Sequence, residues 1–351
     1  MKRLMCIIGL CLLLLAPTIA GAAENPLKEL CSLGAGTESA SGKSFRIMVI
    51  NDETVSEFHN TFFQGAKFAA DEIKERYGLD LQLKFAGGTG TISNTSELST
   101  IIEQAAAEKY DAITFPGYNR VACQNALRNA SDAGVGIFLW WSYGEGFDFV
   151  DGWVVCDTDT QCRKVTEYMI DHVKAKGLTP KVVIMTMGDS DMEKDLFDGT
   201  KVVTDAAGVE FKRVVVSTDS AKQIEAISSA YYADPSWNIW IAHTGEAGVS
   251  AATVFKEAGV VGESVFVAGI DGTSTHLACL AEGTNVCLLE QNVYSAGYKS
   301  TYKAADWLLN DKKLTQFEDV EFTANAIIDM SNYDGYKAIN DIVMAILGDI
   351  H

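Results

Sequence analysis

Hydrophobic and polar positions along this chain alternate between two periods. Short apolar runs with strand character fall at 45–50 (FRIMVI), 80–86, 111–115 (DAITF), 136–140, 181–187 (KVVIMTM), 211–217, 238–242, 264–268 and 285–289. Between them lie amphipathic stretches with helical spacing, at 60–76, 97–109, 120–133, 160–175, 221–232, 246–258 and 295–310. A last helix is predicted over roughly 333–348, where Tyr336, Ile339, Ile342, Val343 and Ile346 fall at helical spacing. Strand followed by helix, many times over, predicts an α/β fold of parallel sheets with helices on both faces. The stretch from Ser142 to Val155 is irregular and predicts a domain boundary. Residues 24–43, with Gly34, Gly36, Ser39, Ser41 and Gly42, predict a leader that is either flexible or held by a disulfide.

One strand end carries candidate chemistry. In VFVAGIDGTST, residues 265–275, the apolar run stops at Gly269 and delivers Asp271 into a tight turn at Gly272. Open α/β sheets hold ligands at the carboxyl ends of their strands, where helix N-termini and loop side chains converge. Asp271 therefore marks a candidate binding cleft.

The N-terminus changes the picture by adding an address. Lys2 and Arg3 precede an apolar run from Leu4 to Leu15, followed by Pro17 and the small residues Ala20, Gly21, Ala22 and Ala23. This pattern predicts a cleaved secretory signal over residues 1–23 and an exported, soluble mature protein. The remaining length, about 328 residues, predicts two domains. The formal net charge of −19 becomes two units more negative when Lys2 and Arg3 leave, which disfavours nucleic acid and anionic membrane surfaces as partners.

Cys6 and Cys11 leave with the signal, and six of the eight cysteines remain. In an oxidising compartment an even number suggests bridges. Proximity in sequence pairs Cys156 with Cys162 and Cys279 with Cys287, and leaves Cys31 to join Cys123. The two short loops would contribute about 2.5 kcal/mol each. Free buried thiols are the alternative. No pair has the C-x-x-C spacing of a redox or zinc site, and no metal or cofactor is implied.

Phe58 with Gly65 seven residues later, Gly134 before the fourth strand, Asp271 in GIDGT and Gln291 closing LLEQ together resemble the type I periplasmic solute-binding proteins of the ribose-binding group. The likeness runs from about Phe45 to Lys313. It implies two doubly wound parallel-sheet domains joined by a three-crossover hinge, with crossings near Val155–Asp157, Gln291–Val293 and Thr323–Ala326. The lobes would be discontinuous, 44–156 with 292–323 and 157–291 with 324–351. The implied function is capture of a sugar, sugar alcohol or related polyol by a monomer, without chemical turnover, for delivery to a membrane ABC permease. A ligand sensor for a membrane histidine kinase or chemoreceptor shares the same fold, and gene neighbourhood separates the two.

By the same resemblance Ser56, Phe58 and His59 form one lip of the cleft, and Lys194, Ser220, Thr244 and Asp271 the other, with Gln291 at the hinge. Phe58 would stack on the apolar face of a sugar ring, while Asp271 accepts hydroxyl protons and Gln291 donates and accepts. The chain departs from sugar-binding relatives at two places. Trp141 and Ser142 stand where those relatives commonly carry Asp-Arg, and Thr244 and Gly245 where they carry Asn-Asp. The missing polar groups point to a smaller, less hydroxylated or partly cationic ligand, since Trp faces suit onium groups. Alternation along the strand makes one of Trp140 and Trp141 core; the other, read as Trp141, either lines the cleft or packs in the core as well.

Three weaker motifs occur along the chain. Gly188-Asp189-Ser190 resembles an esterase nucleophile block but has no downstream D-x-x-H. Asp189, Asp191, Glu193 and Asp195 begin like a calcium loop, yet Lys194 and Thr200 occupy its glycine and glutamate positions. Gly88-x-Gly90 lacks the third glycine of a dinucleotide site, and His243 reads as a structural histidine.

Overall fold

A computed structural model describes residues 31–34, 40–54, 56–88, 94–188, 191–217, 219–323 and 326–348. The proposed signal over 1–23 lies outside the described residues. Two six-stranded sheets organise the chain. The first contains β1 (Ser44–Glu53), β2 (Asp80–Gly88), β3 (Ala112–Pro116), β4 (Gly136–Trp141), β5 (Gly152–Val155) and, from far along the chain, β11 (Val320–Phe322). The second contains β6 (Lys181–Thr186), β7 (Glu210–Val215), β8 (Ile239–Ala242), β9 (Phe266–Ile270), β10 (Cys287–Glu290) and β12 (Ala326–Ile328).

The strand orders are β11-β5-β4-β3-β1-β2 and β12-β10-β9-β8-β6-β7. Position for position the second repeats the first, so the molecule is a duplicated doubly wound unit. Every pairing is parallel except β10 with β12, which is antiparallel at the sheet edge. Parallel strands bury both faces, which is why β3 and β9 are buried at every position and read as unbroken apolar runs.

Helices α1 (Glu57–Tyr77), α2 (Thr95–Ala107), α3 (Gln124–Asp132) and α9 (Val293–Leu309) cover the first sheet. The second is covered by α4 (Thr158–Ala175), α5 (Asp191–Ala207), α6 (Ser220–Ala233), α7 (Gly245–Glu257) and α8 (Ser274–Ala281). The last helix, α10 (Tyr333–Gly348), packs on both α8 and α1. Gly65 and Gly297 let α1 and α9 touch backbone to backbone. A Cβ on Gly65 would collide with the Tyr294 carbonyl oxygen, and one on Gly297 with that of Phe62.

The chain passes between the sheets three times, after β5, after β10 and after β11. β5 lies inside the stretch 142–155 that looked irregular. Its four residues, GWVV, follow a turn and give too short a run to show a period, but Val154 and Val155 are buried against β4.

The cysteine pairings are corrected by the structure, which holds Cys31, Cys123, Cys156, Cys162, Cys279 and Cys287 as free thiols. Side-chain direction explains each case. Cys156 Sγ faces the hinge and donates to the Gln291 carbonyl at 3.2 Å, while Cys162 Sγ faces the core beneath α5, 3.0 Å from Thr200 Oγ1. Cys287 points from β10 toward Met169 of α4, 3.7 Å from its sulfur, whereas Cys279 rides on α8 over the other face. Cys31 packs against the α1 and α9 side of the first sheet and Cys123 belongs to the core on the opposite side. Burial pushes the Cys156 and Cys162 thiols up to about 12, so they stay protonated and inert.

Candidate ligand-binding cleft

The carboxyl ends of the two sheets face a common cavity of about 570 Å³. Ser56, Phe58, His59 and Trp141 line it from the first sheet's side, and Ser220, Thr244 and Asp271 from the second, with Gln291 between them. Each position follows from local structure. Phe58 and His59 sit in the first turn of α1, directly after β1. Thr244 is the N-cap of α7, where its hydroxyl accepts from the Ala247 amide at 3.4 Å, and Ser220 opens α6 behind the capping residue Asp219.

Trp141 ends β4 with φ of +82°, and Asp271 follows β9 with φ of +69°. Asn292, after β10, has φ of +53°. Left-handed backbone costs about 1–2 kcal/mol at a non-glycine residue, and tryptophan has no short polar side chain to soften it. Three such residues at the strand ends that border one cleft mark it as the place where the fold tolerates strain for geometry.

The geometry obtained is a hydrogen-bonded chain across the hinge. Trp141 Nε1 donates to Gln291 Oε1 at 2.6 Å, and Gln291 Nε2 donates to Asp271 Oδ1 at 2.7 Å. Around Trp141, the Phe58 ring lies 4.9 Å away, the Tyr118 ring meets it edge-on at 4.9 Å and Trp140 stacks at 5.4 Å with planes 11° apart. Trp140 itself is fully buried and stacks on Phe62 at 4.1 Å. Trp140 is core and Trp141 forms the cleft wall.

Burial drives the Asp271 carboxyl well above the usual carboxylate range; neighbouring Glu290 pushes the same way, while His276 and the Gln291 hydrogen bond oppose it. Burial also raises Glu290 to about 7, although its Oε1 accepts the Asn292 amide at 2.7 Å. His59 is lowered to about 4 by burial alone and is neutral at physiological pH. His243 is lowered by burial too, with its Nδ1 3.3 Å from Glu193 and its Nε2 3.6 Å from Cys162, a structural cluster under the cleft floor.

Two of the residues singled out by resemblance do not line the cavity. Lys194 is on the exposed face of α5, ion-paired with Asp198 at 3.1 Å, while its neighbours Glu193 and Leu196 face inward. Ser142 follows the left-handed turn at Trp141, and its hydroxyl accepts from Arg120 Nη1 at 3.3 Å outside the cavity wall. Glu193 also accepts the Met187 amide at 3.1 Å, and no group of three metal-ligating side chains occurs among the described residues. Asp189 and Ser190 lie outside the described residues, and no helix among those described is long and apolar enough to cross a membrane.

Several cleft residues escaped the sequence analysis. Glu57 reaches from α1 to the start of α8, where Oε1 accepts the Ser274 amide at 2.8 Å and Oε2 the Ser274 hydroxyl at 2.7 Å. Asn340 of α10 donates to the same Oε1 at 2.5 Å. This carboxylate bridges the two halves at the cleft mouth. Gln161 of α4 donates from Nε2 to the Glu290 carbonyl at 3.2 Å, and its buried Oε1 has no partner. Both read in sequence as ordinary polar residues in a helix's first turns, and no spacing distinguished them.

The sequence model described as "Periplasmic binding protein domain" matches residues 47–313. No curated protein matches the chain in sequence. Among solved structures, a glucose-galactose binding protein from Geobacillus stearothermophilus is similar with a TM-score of 0.69 at 17% identity, over 83% of this chain and 99% of that one. A periplasmic ribose ABC transporter structure from Conexibacter woesei gives 0.70 at 17% identity, over 85% and 96%. A solute-binding protein from Bacillus halodurans with bound myo-inositol gives 0.69 at 16% identity, over 86% and 99%.

Proposed function

The chain belongs to the periplasmic binding protein domain family, and from that premise we propose that it captures a sugar, sugar alcohol or related polyol for import by a membrane ABC permease. The observation that carries this reading is the Trp141–Gln291–Asp271 chain, which joins the two sheets through the cavity wall. A ligand there touches both halves at once, and it favours the closed form only to the extent that it binds that form better than the open one. The aromatic wall of Phe58 and Trp141 suits the C–H face of a ring, while Thr244, Ser220 and Asp271 offer polar partners to hydroxyls.

Capture without chemical turnover fits the same geometry. Two of the cleft's histidines, His59 and His243, are held neutral by burial, and the thiols of Cys156 and Cys162 near it stay protonated for the same reason. Residues 1–23 serve as a cleaved export signal, consistent with a periplasmic place of work. The test is a thermal-shift screen across pentoses, hexoses and polyols. A ligand at a hundred times its Kd stabilises by about 2.7 kcal/mol, a shift of several degrees. Absence of any shift across all three classes, with the protein folded, overturns the proposal.

A further inference from the structure

The polar lining of the cleft is unbalanced. Three acidic residues line it, Glu57, Glu246 and Asp271, and no lysine or arginine does among the described residues. Lys194, the cation that the resemblance places there, is outside and paired with Asp198. Of the three imidazoles that line the cavity, His59 and His243 are kept neutral by burial. His276 Nδ1 is engaged with Thr273 Oγ1 at 2.8 Å.

Two of the N–H donors at the cleft are already committed. The Trp141 indole N–H is committed to Gln291, and Gln291 Nε2 to Asp271. Gln161, 2% exposed, lines the cavity and donates from Nε2 to the Glu290 carbonyl. Burial is the main cause that raises the Asp271 carboxyl; Glu290 and Glu246 add to the rise against His276 and the Gln291 hydrogen bond, so a cation beside it would favour its charged form. A neutral sugar supplies as many acceptors as donors, whereas an ammonium supplies donors and charge together.

Resting on the sugar-binding reading above, we propose that the ligand is cationic, an amino sugar or aminated polyol whose ammonium is received by Asp271 and whose ring lies on the Phe58 and Trp141 wall. The aromatic faces add to this, because a cation near an indole face is attracted to its quadrupole. The cavity, at about 570 Å³, is ample for one ring with an amine substituent.

The experiment is calorimetric titration of the full chain with matched sets: glucosamine, galactosamine and mannosamine, the parent neutral hexose of each, and the N-acetylated form of each. Acetylation keeps the nitrogen and removes the charge. The expected result is that at least one free amine binds ten times or more tighter than both its parent and its N-acetyl form. Asp271→Asn, which keeps the shape and removes the charge, should shrink that preference to threefold or less. Equal or tighter binding of the neutral parents overturns the cationic ligand and leaves sugar capture standing. Absence of binding by every member, neutral sugars included, overturns this inference and, with a blank polyol screen, the functional proposal beneath it.

Discussion

Trp141 and Gln291, 150 positions apart in the chain, meet at 2.6 Å where the indole N–H of one sheet's last strand residue reaches the amide oxygen of the hinge. Gln291 passes the contact on to Asp271 in the second sheet. One glutamine thus fixes the orientation of both the aromatic wall and the carboxylate, and three consequences of this arrangement and its surroundings can be measured.

Removing the middle of the chain should cost more than either end. Gln291→Leu leaves the partly buried indole N–H and the Asp271 carboxylate without partners, a loss of about 2–3 kcal/mol in urea unfolding. Because both singles act on one network, Trp141→Phe with Gln291→Leu should cost less than the sum, with a coupling of about 1 kcal/mol. Strict additivity would show that the hydrogen bond carries no energy.

Glu57 should govern closure. Its carboxylate holds the Ser274 amide and hydroxyl at the start of α8, the positive end of that helix, and Asn340 of α10. Glu57→Ala removes a contact between halves without touching the Trp141 chain, so ligand affinity should fall about 5–30-fold, as a loss of about 1–2 kcal/mol implies. The scattering radius of the ligand-free protein should rise at the same time. An unchanged radius would mean that the contact is incidental.

Acid should weaken the protein partly through His59. The unfolded chain binds the imidazole proton near 6.5, while burial holds the folded one at about 4. The stability tied to this group is therefore full above pH 6.5 and drains as pH falls toward 4, by up to about 3 kcal/mol. In urea titrations at several pH values, His59→Gln should show a shallower loss than the natural protein across that window. Parallel curves would remove His59 as a cause.

The free thiols make a further expectation concrete. Since Cys156, Cys162 and Cys287 point away from their nearest sequence neighbours, a reducing agent should leave the melting temperature unchanged within about 1 °C. A disulfide closing a short loop contributes about 2–3 kcal/mol, so a drop of several degrees on reduction would contradict the arrangement.

The doubly wound fold was legible because its strands are buried on both faces and leave unbroken apolar runs, as in KVVIMT of β6. β5 was not, since four residues show no period and its place depends on pairing with β4. Asp271 and Gln291 could be found because a turn and a strand end announce them. Glu57 and Gln161 could not, because an acid or amide early in a helix is commonplace and only tertiary contact gives it a partner. Lys194 and Ser142 were misplaced for a related reason. Alignment by resemblance gives a position along the chain, whereas the face of α5 and the left-handed φ of Trp141 decide where those side chains point. An even number of cysteines likewise says nothing of which side of a sheet each one faces.

The central claim is that the cleft around Asp271 holds the ligand, and titration calorimetry of the natural protein against Asp271→Ala tests it most directly. With the best ligand from the sugar and polyol screen, loss of this carboxylate should weaken binding at least about 30-fold, the equivalent of about 2 kcal/mol. Affinity unchanged within twofold in a variant that still folds would place the ligand elsewhere.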